Sequence, residues 1–123
     1  MSTPTSVLTV YGIPNCDTVK KARAWLTAQE LPHAFHDFKK QGVPPDALAH
    51  WVQALGWEPL LNRRGTTWRG LSAAQQASIV NAASAMTLMQ EQPSVIKRPV
   101  VQWSDGVSVG FDADQWAARA AKI

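Results

Sequence analysis

Cysteine is almost absent from this sequence, since Cys16 is the only one among 123 residues. A single cysteine forms no disulfide within its own chain, so the disulfide-stapled secreted folds are excluded. It also excludes a Cys-x-x-Cys redox pair and a cysteine zinc site made by this chain alone. Any thiol chemistry must therefore run through Cys16 and a second molecule.

Long apolar runs are missing as well, and none approaches the roughly 20 residues that span a bilayer. Residues 1–6 are polar and lack the charged start and apolar middle of a secretory signal. We therefore expect a cytoplasmic protein that makes no membrane contact.

The charge imbalance is small: twelve Lys and Arg residues face nine Asp and Glu residues, which gives a net charge of +3. There is no long basic tract, so nucleic acid is not the expected partner. The basic residues form local groups that suit a small anionic substrate. These groups are Lys20, Lys21 and Arg23; Lys39 and Lys40; Arg63, Arg64 and Arg69; Lys97 and Arg98.

The histidines do not form a metal-ligand pattern. His33 and His36 lie on opposite faces of a predicted strand, so they do not chelate one metal as a pair. His50 stands alone on a predicted helix. We expect no bound metal and no bound cofactor.

The chain begins with the pattern of a βαβ unit. Residues 7–11 predict a buried strand, 12–15 a turn, 16–29 a helix and 33–38 a second strand, which favours parallel strands. The apolar stripe of the helix consists of Val19, Ala22 and Leu26.

The middle of the chain is predicted to be helical, with one basic loop. A helix runs from Pro45 to Gly56, and residues 60–71 form a glycine-bearing basic loop. Ser72 and Gln75 make a capping box that opens a further helix through Val80. A short helix follows around residues 86–90.

The last third predicts a β-hairpin, with strands at 99–103 and 107–111, followed by a helix capped by Asp112. The chain is thus an α/β protein with a thioredoxin-like fold, in which β-α-β and then β-β-α form a mixed four-stranded sheet. With 46% apolar residues, residues 1–123 suit one domain, with an all-helical insertion at about 44–92.

Cys16 stands where the first turn gives way to a helix. Unpaired backbone N–H groups and the positive end of the helix dipole favour the thiolate, the reactive form. Lys20, one turn on, adds positive charge, whereas Asp17 opposes the thiolate. The alternative is that Cys16 is a small buried apolar residue.

Several separated motifs resemble the arsenate reductase (ArsC) and Spx family, and its YffB-like branch most closely. The resemblance covers nearly the whole chain in order. The matching segments are residues 11–18, 20–26, 36–38, 55–58, 61–69 and 96–99.

The resemblance implies a nucleophilic role for Cys16 and an oxyanion-stabilising role for Arg98, which precedes a cis proline, Pro99. A guanidinium suits this role because its planar fork binds oxyanions bidentately. For the basic loop, the resemblance favours Arg64 over Arg63 as the residue that holds a carboxylate of glutathione. The alternatives are a solvated surface arginine at position 98 and an ordinary solvated loop. The expected substrate and glutathione-binding residues are Asn15, Lys20, Arg64 and Pro99.

The sequence also departs from the family patterns. The arsenate reductases carry a histidine in the cysteine loop and two further arginines, whereas Asn62 and Phe111 lie near the two arginine positions here. This does not favour arsenate itself as the substrate. We expect a thiol-dependent reductase that acts on a small anionic or disulfide substrate. Glutathione or a glutaredoxin-like protein would supply the external thiol.

The alternative is a regulator like Spx that binds the RNA polymerase α-subunit. Regulators of that type usually carry Cys-x-x-Cys, and Val19 occupies the second position here. An intramolecular switch is therefore excluded.

Overall fold

The computed structural model describes residues 8–121, which divide into two compact units. The first unit combines residues up to Asp37 with those from Arg98 onward, and the second spans Phe38–Lys97. No helix of residues 8–121 has the length and apolar character needed to cross a bilayer.

The elements of the first unit follow the predicted β-α-β and β-β-α order. They are β1 (Leu8–Gly12), α1 (Asp17–Ala28), β2 (His33–Asp37), β3 (Val100–Trp103), β4 (Gly106–Val109) and α8 (Ala113–Ala120).

The second unit is built from helices. They are α2 (Phe38–Gln41), α3 (Pro45–Leu55), α4 (Trp57–Leu60), α5 (Thr66–Arg69), α6 (Ala73–Ala77), α7 (Ala82–Glu91) and a 3₁₀ turn (Pro93–Val95).

The four strands form one mixed sheet in the order β2-β1-β3-β4. Strands β1 and β2 are parallel, whereas β1–β3 and β3–β4 are antiparallel. The mixed four-stranded sheet predicted from the sequence is confirmed. Val10 and Val101 pair at the centre of the sheet, and both are fully buried.

One face of this sheet is covered by α1 and α8 through a continuous apolar core. The predicted stripe of α1 is confirmed, because Val19, Ala22 and Leu26 are buried. Trp116 of α8 contacts three aromatic rings edge-on, with centroid distances of 5.8, 5.1 and 4.7 Å to Trp25, Trp103 and Phe111. These contacts hold α8 against the sheet face that also receives α1.

The second unit has its own core. Phe38 was expected to end β2, but it begins α2 and its buried ring lies 6.2 Å from that of Trp51. The predicted helix from Pro45, with Gly56 after its last residue, is confirmed. Gly56 adopts a φ of +85°, which suits a residue without a side chain at the end of a helix.

Two helix predictions in the second unit were wrong at their ends. Ser72 and Gln75 form the predicted capping box, but α6 ends at Ala77 instead of continuing to Val80. The Ser78 hydroxyl donates to the Gln75 carbonyl at 2.6 Å, and this local bond competes with continuation of the helix. A second capping box, at Asn81 and Ser84, then starts α7 earlier than the sequence indicated.

Residues 60–71 are not simply a loop, because Thr66–Arg69 form the single turn α5. The side-chain amide of Gln76 donates to the carbonyl of Trp68 at 2.9 Å, which links α5 to α6. The hairpin also ends earlier than predicted. Gly110 has a φ of +85°, so β4 stops at Val109 and leaves Phe111 outside the strand.

Candidate functional site

Cys16 is the N-cap residue of α1, with extended backbone angles of −145° and 120°. Its carbonyl accepts the first helical hydrogen bond, from the Lys20 amide at 2.9 Å. The thiol makes no capping hydrogen bond, and the residue is partly exposed. The predicted position at the mouth of the helix is confirmed, so Cys16 is the residue at the positive end of the α1 dipole.

A close contact between β1 and α1 fixes where Cys16 stands. A methyl group on Gly12 would lie 2.9 Å from Cγ2 of Val19, a branched side chain that is 1% exposed. Glycine therefore lets the end of β1 approach the first turn of α1 more closely than any other residue allows. Pro14 and Asn15 are exposed between these two anchored points.

Arg98 and Pro99 lie at the same edge of the sheet as the cysteine loop. Tyr11 pairs with Val100 in the antiparallel β1–β3 ladder, so the residues before Val100 stand beside the residues that follow Tyr11. The Arg98-Pro99 peptide is cis, as the family resemblance implies. Pro99 is buried, while Arg98 is half-buried with its Nε atom shielded from solvent.

Tyr11 and His36 form an aromatic pair near the carboxyl ends of the parallel strands β1 and β2. The rings of Tyr11 and His36 are 5.0 Å apart and tilted by 43°. Burial raises the pKa of the Tyr11 hydroxyl above its ordinary value, because the charged phenolate loses solvation. Tyr11 is therefore a neutral group at physiological pH.

Arg64 belongs to the second unit, whereas Cys16 and the other predicted site residues belong to the first. Arg64 is exposed in the turn that closes with the Gly65 amide on the Asn62 carbonyl at 3.2 Å. The neighbouring Arg63 lies over two indole rings, 5.8 Å from Trp57 and 6.0 Å from Trp68. Arg64 thus remains the better anion-binding candidate of the two, and its role stays a prediction.

Sequence reasoning missed a groove along α1. It has a volume of about 430 Å³ and begins beside the cysteine loop. Lys20, a predicted site residue, lines it together with Arg23 and His33, which were not predicted to belong to the site. The i, i+3 spacing of Lys20 and Arg23 was visible in the sequence. Only the pairing of β1 with β2 brings His33 to the same place.

The described residues offer no metal centre, because residues 8–121 contain no group of three or more His, Cys, Asp or Glu side chains that could hold an ion.

Comparison with known proteins agrees with this architecture. A protein from Haemophilus influenzae of uncharacterised function is 36% identical over 115 residues, which cover 94% of this chain and all of that protein. A solved structure of a protein named YFFB is 45% identical with a TM-score of 0.86, covering 91% of this chain and 97% of its own.

A more distant relative is the global transcriptional regulator Spx 1 of Lactococcus lactis. It is 25% identical over 111 residues, which cover 89% of this chain and 85% of that protein. The ArsC family profile matches residues 11–119. The thioredoxin-like fold predicted from the sequence is confirmed, and the chain belongs to the ArsC family.

Proposed function

We propose that this chain is a small thiol-dependent reductase whose nucleophile is Cys16. The observation that carries the proposal is the position of the only cysteine, partly exposed at the N-cap of α1 in a chain of the ArsC family. A thiolate there gains from the unpaired N–H groups and the helix dipole.

The proposed reaction is thiol–disulfide exchange in two steps. The Cys16 thiolate attacks one sulfur of a disulfide, forms a mixed disulfide and releases the other sulfur as a thiolate. An external thiolate, from glutathione or a glutaredoxin-like protein, then attacks the mixed disulfide. This step forms a new disulfide and restores the Cys16 thiolate. No second cysteine of the chain is needed, which fits the sequence.

Four further predicted residues fit this reaction. Arg98, at the same edge of the sheet, is the cation that would stabilise the negative charge developing on sulfur. Asn15 is exposed in the cysteine loop, and Pro99 is buried directly before β3 at the same edge of the sheet. Lys20, one turn into α1, adds positive charge for an anionic substrate. We also place the reaction in the cytoplasm, where free thiols persist.

The direct test is incubation of the purified chain with oxidised glutathione. We expect the intact mass to rise by one glutathionyl group, and reduced glutathione to remove it. The Cys16→Ser variant should show no adduct and no glutathione-dependent reduction of a disulfide. Full activity in Cys16→Ser would contradict the proposal.

A second candidate function is binding to the RNA polymerase α-subunit, which the similarity to Spx 1 favours. We expect the purified α-subunit to co-migrate with this chain in gel filtration if the chain is a regulator. If the two proteins elute separately even when both are mixed well above their cellular concentrations, this result would count against the regulatory function. The two candidates are distinguished by Cys16→Ser, which abolishes the reductase but leaves a docking surface elsewhere intact.

A further inference from the structure

The groove along α1 is lined by three nitrogen-bearing side chains and four that are apolar or small. No aspartate or glutamate among residues 8–121 contributes to its lining, so its polar character is cationic. The lining residues are Pro14, Val19, Lys20, Arg23, Ala24, Thr27 and His33.

Arg23 is held in place inside this groove by two contacts. Its guanidinium carbon lies 4.4 Å from the centroid of the Phe35 ring, in cation–π geometry. Its Nε donates to Nε2 of His33 at 3.3 Å. Nδ1 of His33 lies 3.4 Å from the Leu31 carbonyl, and the tautomer with its proton on Nδ1 donates there while Nε2 accepts from Arg23.

These contacts leave one part of the guanidinium available. Within residues 8–121, the two terminal nitrogens of Arg23 donate to no protein acceptor. The Nε hydrogen bond and the contact with the Phe35 ring fix the orientation of the guanidinium. The two terminal nitrogens are therefore a preset pair of donors. This geometry matches the two oxygens of a carboxylate.

The position of the groove connects it to Cys16. Pro14, two residues before the cysteine, lines the groove, and its lining residues on α1 run from Val19 to Thr27. The helix rises about 10 Å between Lys20 and Thr27, close to the length of an extended tripeptide. The lining supplies apolar contact from Val19 and Ala24 between its cations.

We infer that this groove binds an acidic thiol of tripeptide size, with Arg23 holding one carboxylate and His33 positioning Arg23. Lys20 contributes a second positive charge nearer to Cys16. The inference rests on the proposed function, because in that reaction the groove would bring the external thiol to Cys16. Binding itself does not require Cys16 to react.

The test uses S-methylglutathione, which carries both carboxylates but no thiol. In an NMR titration of the whole chain, we expect saturable shifts at Arg23 and His33. Arg23→Gln should weaken the Kd at least about tenfold, as loss of a charge-assisted hydrogen bond implies. Lys21→Gln is the matched control, since Lys21 is an exposed cation of α1 that does not line the groove. Its Kd should change less than about twofold, because an exposed charge outside the groove is screened.

A second test alters the ligand and keeps the protein unaltered, so its result does not depend on whether Arg23→Gln folds. The dimethyl ester of S-methylglutathione should bind the unaltered chain at least about tenfold more weakly. Equal affinity for the acid and the ester, or an unchanged Kd in Arg23→Gln, would overturn the inference. If the acid binds as expected but no mixed disulfide forms at Cys16, the proposed function fails and the groove assignment stands.

Discussion

Replacing Trp116 with alanine is expected to lower the free energy of unfolding by about 3–5 kcal/mol, the usual cost of removing a buried aromatic side chain. Trp116 is 3% exposed and contacts the rings of Trp25, Trp103 and Phe111. Its removal would leave a cavity between α8 and the sheet and would also abolish three edge-on aromatic contacts. A loss of this size is a large fraction of the stability of a small domain.

Urea unfolding followed by far-ultraviolet circular dichroism measures this loss without relying on tryptophan fluorescence. Trp116→Phe should recover part of the stability because it refills much of the cavity. Trp68→Ala, at a half-buried tryptophan of the second unit, should cost less than Trp116→Ala. A loss below about 1 kcal/mol for Trp116→Ala would show that α8 does not depend on this aromatic cluster.

The second large effect concerns Arg98. We expect Arg98→Ala to lower kcat for glutathione-dependent disulfide reduction about 100-fold, the scale seen when one donor to a developing negative charge is removed. The effect should fall on kcat more than on KM, because negative charge moves onto the leaving sulfur only during exchange. Arg98→Lys should give an intermediate rate, since it keeps the charge but loses the planar fork.

The control for Arg98 is its exposed neighbour Lys97, because Lys97→Ala removes the same charge one residue away. Lys97→Ala should leave kcat within about twofold, as expected for a solvent-screened charge. Circular dichroism spectra and thermal midpoints would confirm that Arg98→Ala is folded. An unchanged kcat in folded Arg98→Ala would remove Arg98 from the proposed mechanism and leave Cys16 as nucleophile.

The two arginines have different tasks in this scheme. Arg98, at the start of β3, is proposed to act on the sulfur atoms that exchange. Arg23, on α1, is proposed to bind the far end of the incoming thiol. Arg98→Ala should therefore slow exchange with every disulfide, whereas Arg23→Gln should affect only acidic partners. Comparing oxidised glutathione with an uncharged disulfide separates these two roles.

The sequence by itself determined the local parts of this protein. Cys16 at the start of α1 and the stripe of Val19, Ala22 and Leu26 could be read directly, because helix spacing repeats over three or four residues. The caps at Ser72 and Asp112 could also be read, since each is a bond between a side chain and a backbone three residues away.

At two places the tertiary packing, and not the local sequence pattern, determined the secondary structure. Phe38 alternates like a strand residue, yet its burial against Trp51 makes it the first residue of α2. Thr66–Arg69 look like a loop in composition, yet they form a helical turn that Gln76 contacts. In both places tertiary contacts outweighed a short sequence pattern, as expected where intrinsic preferences differ by less than about 1 kcal/mol per residue.

Only the tertiary structure decided what surrounds α1. The groove requires β2 to pair in parallel with β1 so that His33 comes beside Arg23, ten residues away. No local spacing encodes that meeting, because strand register is set by the burial of many side chains at once. The sequence therefore placed Cys16 at the start of α1, and the packed sheet determined which cations line the groove beside it.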